Sequence, residues 1–356
     1  MLTATRACAV ALFAAVLAVG LPGAALAQES LTPAQKAEKL FYGYDRYGAK
    51  FSYGPVSEEN GVLTIRNLKY EVAMPWQDPK NPDAPKKTET LSFTAETIVA
   101  RRYDYRNPEL PHFADLTFSG IRPGGSVLDL MGWSRSLAVF GGETLVIDLS
   151  QVYELDPAAG SVTLDSGTAT IRGLLRVEMA GRFDGVEFAR LRDPKLLEKL
   201  GPGSVGSTQP DAVGTMFLDL FAATRVHRMT YAMTDLGGLS RIFAFVAEEH
   251  SKKNPDAPKI TAKAMRQGFA GSLAGMTARF SGVFAPAMLR AAARWMQAPG
   301  TLTIALRPGR PLPVASIIGY FGALSAQAKQ AKGQKLDLDP LQKFLGLSLT
   351  YTPAAR

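Results

Sequence analysis

Arg228-Met-Thr-Tyr-Ala-Met-Thr234, Gly237-Gly238, Leu239 to Ala247, Ala285 to Met296, Pro299-Gly300 and Thr301-Leu-Thr-Ile-Ala-Leu306 lie along the stretch that decides the fold class. The first segment reads as a strand. Leu239, Ile242, Phe243, Val246 and Ala247 then recur at helical spacing on one stripe, which is expected to cover a sheet. Ala285, Met288, Leu289, Ala292, Trp295 and Met296 repeat the pattern, with Arg290 and Arg294 together on the opposite side. Pro299-Gly300 ends that helix, because proline cannot continue the ladder and glycine tolerates the turn. Leu302, Ile304 and Leu306 alternate with Thr301, Thr303 and Ala305, the period of a strand with one buried face. Helix and strand therefore alternate against one core.

Working back toward the N-terminus, the pattern is β. Gly61 to Ala73, Thr90 to Ala95 and Ala114 to Gly120 carry the inward alternations Leu63/Ile65, Leu91/Phe93 and Leu116/Phe118. Gln151 to Asp165 reads as a hairpin in which Asp156-Pro157 starts the turn and Gly160 supplies its positive φ. It is preceded by Leu145/Ile147/Leu149 and followed by Ala169 to Met179, so three or four strands are adjacent. A helix is expected from Ser30 to Tyr42, capped by Ser30 or Thr32 with Pro33 early in it. The aromatic cluster after it, Phe41, Tyr42, Tyr44, Tyr47, Phe51 and Tyr53, would staple that helix to the body.

Residues 1–27 have the form of a secretory signal: Arg6, an apolar run from Ala9 to Val19, and Ala25-Leu-Ala27 as a cleavage site before Gln28. The apolar run is too short for a membrane span, which needs about 20 residues, and Pro22-Gly23 interrupts it. Cys8 is the only cysteine, so a chain cleaved after Ala27 would have no disulfide or thiol chemistry. An exported chain argues against a nucleic-acid partner, and no aromatic-interleaved basic cluster suggests one. Charge is uneven. From Arg225 onward 18 Lys and Arg face 6 Asp and Glu, giving +12, whereas Gln28 to Thr224 has 21 against 26, giving −5. The basic half is either a solvated surface or one that attracts anionic head groups or acidic polymers.

Chemistry-bearing motifs are sparse. His112, His227 and His250 have no metal-ligand spacing, and Ser134 in Gly132-Trp-Ser-Arg-Ser136 lacks the second glycine of a nucleophile elbow. Glu248-Glu249 looks like a solvated helix end. Gly201-Pro-Gly-Ser-Val-Gly206 has dinucleotide-loop spacing but follows the helical segment Pro194 to Leu200, so it reads as a flexible loop. It also divides a mainly antiparallel β region, 28–206, from a basic α+β region that completes the sheet, 207–356. Lys80-Asn-Pro-Asp-Ala-Pro-Lys86 recurs as Lys253 to Lys259, two copies of good turn chemistry. Gly271 and Gly275 suggest a close helix contact. Toward the C-terminus, Arg307-Pro-Gly-Arg-Pro311 turns into a helix from Val314 to about Ala331 with Ile317, Ile318, Phe321 and Leu324 inward. Lys329, Lys332 and Lys335 extend its polar end, and a short segment, Pro340 to Leu345, leads to a last strand, Leu347 to Thr352.

Tyr231 to Arg241, the Trp295 to Leu306 helix–turn–strand ending in Arg307-Pro-Gly-Arg-Pro311, and the Asp156-Pro-Ala-Ala-Gly160 hairpin resemble uncharacterised exported proteins of Gram-negative bacteria, distantly similar to AsmA-like envelope proteins. The resemblance implies long curved antiparallel sheets and lipid handling, and brings no catalytic residue. With residues 1–27 read as a cleaved signal, no retained transmembrane anchor is expected, a departure from AsmA-like proteins.

The expected fold is α+β, a large antiparallel meander with C-terminal helices packed on one face. The expected function is a soluble periplasmic non-enzyme that needs no cofactor and binds an apolar or amphiphilic envelope molecule between sheet and helices. Arg290, Arg294, Arg307 and Arg310 are the head-group candidates. Two alternatives are a structural protein docking on another envelope component, and a hydrolase using His227 and Ser134.

Overall fold

A computed structural model describes residues 31–42, 49–76, 87–124, 145–191, 221–254, 256, 258–330 and 335–354. Twelve strands form one sheet: β1 (Ala49–Ser52), β2 (Val56–Glu59), β3 (Val62–Trp76), β4 (Lys87–Tyr103), β5 (Phe113–Pro123), β6 (Ile147–Asp156), β7 (Ser161–Ile171), β8 (Leu175–Asp184), β9 (Arg225–Asp235), β11 (Gly300–Leu306), β12 (Leu312–Pro313) and β14 (Leu347–Pro353). The short strands β10 (Phe280–Ser281) and β13 (Leu336–Asp337) pair separately. The order across the main sheet is β1-β3-β4-β5-β6-β7-β8-β9-β11-β14, with β2 on β3 and β12 on β9, and every pairing is antiparallel. The helices are α1 (Pro33–Leu40), α2 (Phe188–Leu191), α3 (Gly238–Lys253), α4 (Ala262–Gly275), α5 (Phe284–Gln297), α6 (Val314–Gln330) and α7 (Asp339–Leu345). The large antiparallel α+β architecture is the one expected from the alternation of pattern.

Register explains why the sheet holds together. Directly opposed residues follow one line across nine strands: Ile65, Ile98, Phe118, Leu149, Ala169, Val177, Met233, Leu302 and Tyr351. Opposed residues share a face, so this line is apolar from end to end. The next line, displaced by one residue and therefore on the other face, is Thr64, Val99, Thr117, Ser150, Thr168, Glu178, Ala232, Thr303 and Thr350. A one-residue slip anywhere would move a strand's apolar set into water.

The apolar face is covered at both ends. At the N-terminal end Thr32 caps α1 in a capping box with Gln35, Pro33 occupies the first turn, and Ala37, Leu40 and Phe41 join Leu63, Ile65 and Ile98 in one core. Phe41 lies 5.2 Å from Phe51 and 5.7 Å from Tyr53, ring to ring, so the described part of the aromatic cluster staples the helix down. At the C-terminal end α5 packs on β11 and β14, while α6 and α7 close a second core with Val226, Leu306, Leu312, Leu341 and Leu345. Asp339 of α7 accepts hydrogen bonds from the backbone N–H groups of Val283 and Phe284, capping α5 from another element. These N–H groups, Phe284 first, hold the Asp339 carboxyl below its ordinary range.

A line of irregularities bends strands β3 to β5. Asn67 has φ 53° and Gly120 φ 67°. At φ 67° a side chain at position 120 would be strained, and the Glu96 carboxylate occupies the space its Cβ would take, so glycine suits the position. The Gly120 N–H donates to Asp148 Oδ1 (2.8 Å), and Arg172 holds the same carboxylate through Nε (2.7 Å) and a terminal nitrogen (2.8 Å). The Arg172 hydrogen bond lowers the Asp148 pKa, partial burial opposes it, and the Gly120 N–H adds to the lowering.

Four expectations are corrected. The span Ala169 to Met179 is two strands, split at Arg172-Gly-Leu174 with Gly173 at φ 70°. The α3 stripe packs on α4 rather than on the sheet, with Phe243 and Phe269 at 6.0 Å and Val246 left exposed. Gly271 and Gly275 face open space, not a close helix contact. In α6, Val314, Ile317 and Tyr320 point inward, and Ile318 and Phe321 are exposed. The reason is geometric: the second core reaches only one side of α6, with Tyr320 stacked on Phe344. The Leu324 side chain, Ser134, the loop at 201–206, the first copy of the repeat and residues 1–27 lie outside the described residues.

Ile98 is fully buried and Thr350 exposed on the opposite face. Ile98→Ala should cost about 3 kcal/mol in urea unfolding, and Thr350→Ala less than about 0.5 kcal/mol. Asp148→Asn should cost about 1–2 kcal/mol at pH 7. A depressed carboxylate pKa stabilises above the unfolded value and ceases to do so as pH falls through the folded value. The gap between wild type and Asp148→Asn should therefore close below about pH 4.

Candidate binding surface

Between the two covered ends lies the middle of the apolar face. The described helices pack along β2 and β3 at one end and along β11, β12 and β14 at the other; between them Phe188 of α2 packs with Leu155, Val162 and Phe183 of β6 to β8, and Leu116, Tyr153, Leu164, Ala169 and Val177 are buried. Five adjacent strands, β5 to β9, carry this strip of the apolar face. Phe118, Leu149, Met179 and Met233 stand on it half-buried. Phe118 and Met179 lean on the α1-covered core. Methionine suits such a surface, since its unbranched, polarizable chain adapts to differently shaped apolar partners.

The predicted head-group arginines do not form one cluster. Arg290 and Arg294 are exposed on the outer side of α5, as their spacing predicts. Arg307 and Arg310 are exposed in the loop joining β11 to β12. Phe284 packs in a core with Leu347, which opposes Leu306, so the start of α5 lies near that loop. Trp295 Nε1 donates to the Gly300 carbonyl at the far end of β11 (3.0 Å), so Arg294 sits away from it. None of the four is in an ion pair among the described residues. The nearby acids are otherwise engaged: Asp235 by Arg266, Glu248 and Glu249 by Lys252, and Asp339 by backbone N–H groups.

The histidines take structural places. His227 Nε2 is 2.7 Å from Asp184 Oδ2, and Arg225 Nε donates to Asp184 Oδ1 at 2.6 Å. A register shift where β8 meets β9 leaves His227 unpaired between Val226 and Arg228, the arrangement by which a bulge re-aims a side chain. Partial burial would raise the Asp184 pKa, but hydrogen bonds from His227 and Arg225 outweigh it and the net shift is downward. His112 Nδ1 lies 3.7 Å from Asp104, which also accepts the backbone N–H groups of Arg106 and His112 and closes the turn after β4. The His250 carbonyl accepts the bond that ends α3. Among the described residues no three His, Cys, Asp or Glu side chains converge as a metal site would require.

A cavity of about 580 Å³ opens where α3, α4 and α5 meet, lined by Ser240, Ala262, Lys263, Arg266, Gln267 and Gln297. It is polar, unlike the apolar groove expected. Behind it Arg266 reaches Asp235 (3.4 Å), Ser240 Oγ (2.9 Å) and the Met296 carbonyl, while Asp235 Oδ1 accepts the N–H groups of Gly237 (2.9 Å) and Leu239 (3.1 Å). With Asp235 almost wholly buried, Arg266 ties the start of α3 to the end of α5. Sequence reading missed this pair, although a carboxylate two residues before Gly237 at a helix start is a capping signal.

Arg266→Met would leave the Asp235 charge buried without its partner. A loss of about 3 kcal/mol is expected, with α3 and α4 losing amide-exchange protection before β3 to β7 do.

Among the comparisons with known proteins, a family model described only as an uncharacterised protein matches residues 168–339, the segment from β7 to the start of α7. No curated protein matches the chain.

Proposed function

We propose that this chain is an exported, periplasmic, non-enzymatic protein of the Gram-negative envelope that binds an amphiphilic, lipid-like molecule along the apolar face of its sheet. The observation that carries the reading is the unbroken apolar line from Ile65 to Tyr351, along which Phe118, Leu149 and Met233 keep part of their surface exposed while Ala169 and Val177 between them are buried. The surface these side chains still expose would gain free energy on burial against an acyl chain, about 25 cal/mol per Å² removed from water. The signal-like residues 1–27 support export, and the resemblance to AsmA-like envelope proteins supports lipid handling. The +12 balance after Thr224 favours an anionic head group at the strip's C-terminal side.

Native mass spectrometry of protein purified from its host should show a bound amphiphile, and the delipidated protein should take up a fluorescent fatty acid. Met233→Arg places a charge in the strip and should weaken that uptake about tenfold or more while leaving the circular dichroism unchanged. Protein that carries no amphiphile and takes up none would overturn the reading.

A further inference from the structure

We propose that α6 is a docking element for an anionic bilayer surface. The proposal extends the function above to a second surface, and rests on it only for the compartment in which such a bilayer is at hand.

From Val314 to Ala328 the helix has no charged residue, and among its described side chains Val314, Ile317 and Tyr320 pack against the second core. On the outer side Ile318 is 37% and Phe321 45% exposed, and Ala315, Gly322 and Ala323 are exposed beside them. Nothing lies within 4 Å of where a Cβ at Gly319 or Gly322 would stand. Such a helix is normally buried on all sides. Two glycines also lower its intrinsic helicity, so an outer partner would stabilise it. At 17 residues it is about 25 Å long, short of a hydrocarbon core of about 30 Å. No described helix is long and apolar enough to cross a membrane. A helix of this kind lies in the interface plane.

Charge selects the occupant. Residues 307–343 carry Arg307, Arg310, Lys329, Lys332, Lys335 and Lys343 against Asp337 and Asp339. Both acids already accept backbone hydrogen bonds, Asp337 from Asp339 and Asp339 from Val283 and Phe284. An uncharged apolar face flanked in the sequence by cations matches an anionic head-group layer over acyl chains.

The test is flotation of the full chain with vesicles of one-third phosphatidylglycerol in phosphatidylcholine, and with pure phosphatidylcholine. Binding is expected to the anionic vesicles only, falling as salt shortens the Debye length below about 8 Å. Arg307→Gln and Arg310→Gln should each weaken it about fivefold. Phe321→Asp should weaken it about tenfold or more. As a second readout, Ile318→Cys in a Cys8→Ser background, labelled with an environment-sensitive fluorophore, should brighten and shift to the blue on anionic vesicles. Equal binding to both vesicles, full binding by Phe321→Asp, or an unchanged fluorophore overturns the proposal. So does a solution dimer that Phe321→Asp dissociates without affecting flotation, since the occupant is then a second copy. Failure of the unsubstituted chain to float with anionic vesicles, with its fatty-acid uptake intact, overturns docking alone. Loss of uptake in Met233→Arg with flotation intact concerns the sheet face alone.

Discussion

One constraint governs the molecule: side chains on an extended chain alternate between two faces, and this chain keeps that alternation in step across the whole width of its sheet. Ile65 and Tyr351 are nearly three hundred residues apart, yet they terminate one apolar line whose every member opposes the next. The neighbouring line, from Thr64 to Thr350, is dominated by hydroxyl groups that water can satisfy. Two-faced character of this kind lets an antiparallel sheet stand with one side wet, and obliges something to cover the other. Helices α1, α5, α6 and α7 meet that obligation at the ends, and Phe188 of α2 adds cover over β6 to β8.

The sheet is also bent without losing register. Asn67 and Gly120 take positive φ values, and the Gly120 N–H turns to Asp148, a carboxylate that Arg172 holds from the next strand. The irregularity between Arg182 and Phe183 re-aims His227 toward Asp184 in the same way. Polar side chains thus satisfy the backbone groups and charges that the bends release, on the face where water screens them. The apolar face carries a charge at its edge, where Asp235 opposes Leu175 and Arg266 pairs the buried carboxylate.

The strands were legible because period two is a local signal: Leu63/Ile65, Leu116/Phe118 and Leu302/Ile304/Leu306 point as their alternation demands. The Asp156 turn was legible for the same reason, with Asp156 accepting the N–H groups of Ala158 and Ala159 and Gly160 at φ 63°. Tertiary partners were not. Helical periodicity says that Phe243 and Ala247 share a buried stripe, but not that α4 rather than a sheet buries it. Ile318 and Phe321 were placed inward because α6 has no charged side to orient it, so apolarity alone could not distinguish its two faces. Asp184 and His227 are 43 residues apart and meet only through the β8–β9 register. Of the candidate site, the cationic balance and the four arginines were readable. The apolar strip, which exists only once five strands are aligned, was not.

The central claim, that a lipid-like molecule lies along the apolar face, is tested most directly by site-specific photocrosslinking in the producing cell at adjacent residues of β9. A photoreactive side chain at Met233 stands on the apolar face, and one at Ala232 on the polar face. The account predicts lipid adducts at position 233 and none at 232. Equal labelling at both positions, or labelling at 232 alone, would contradict it.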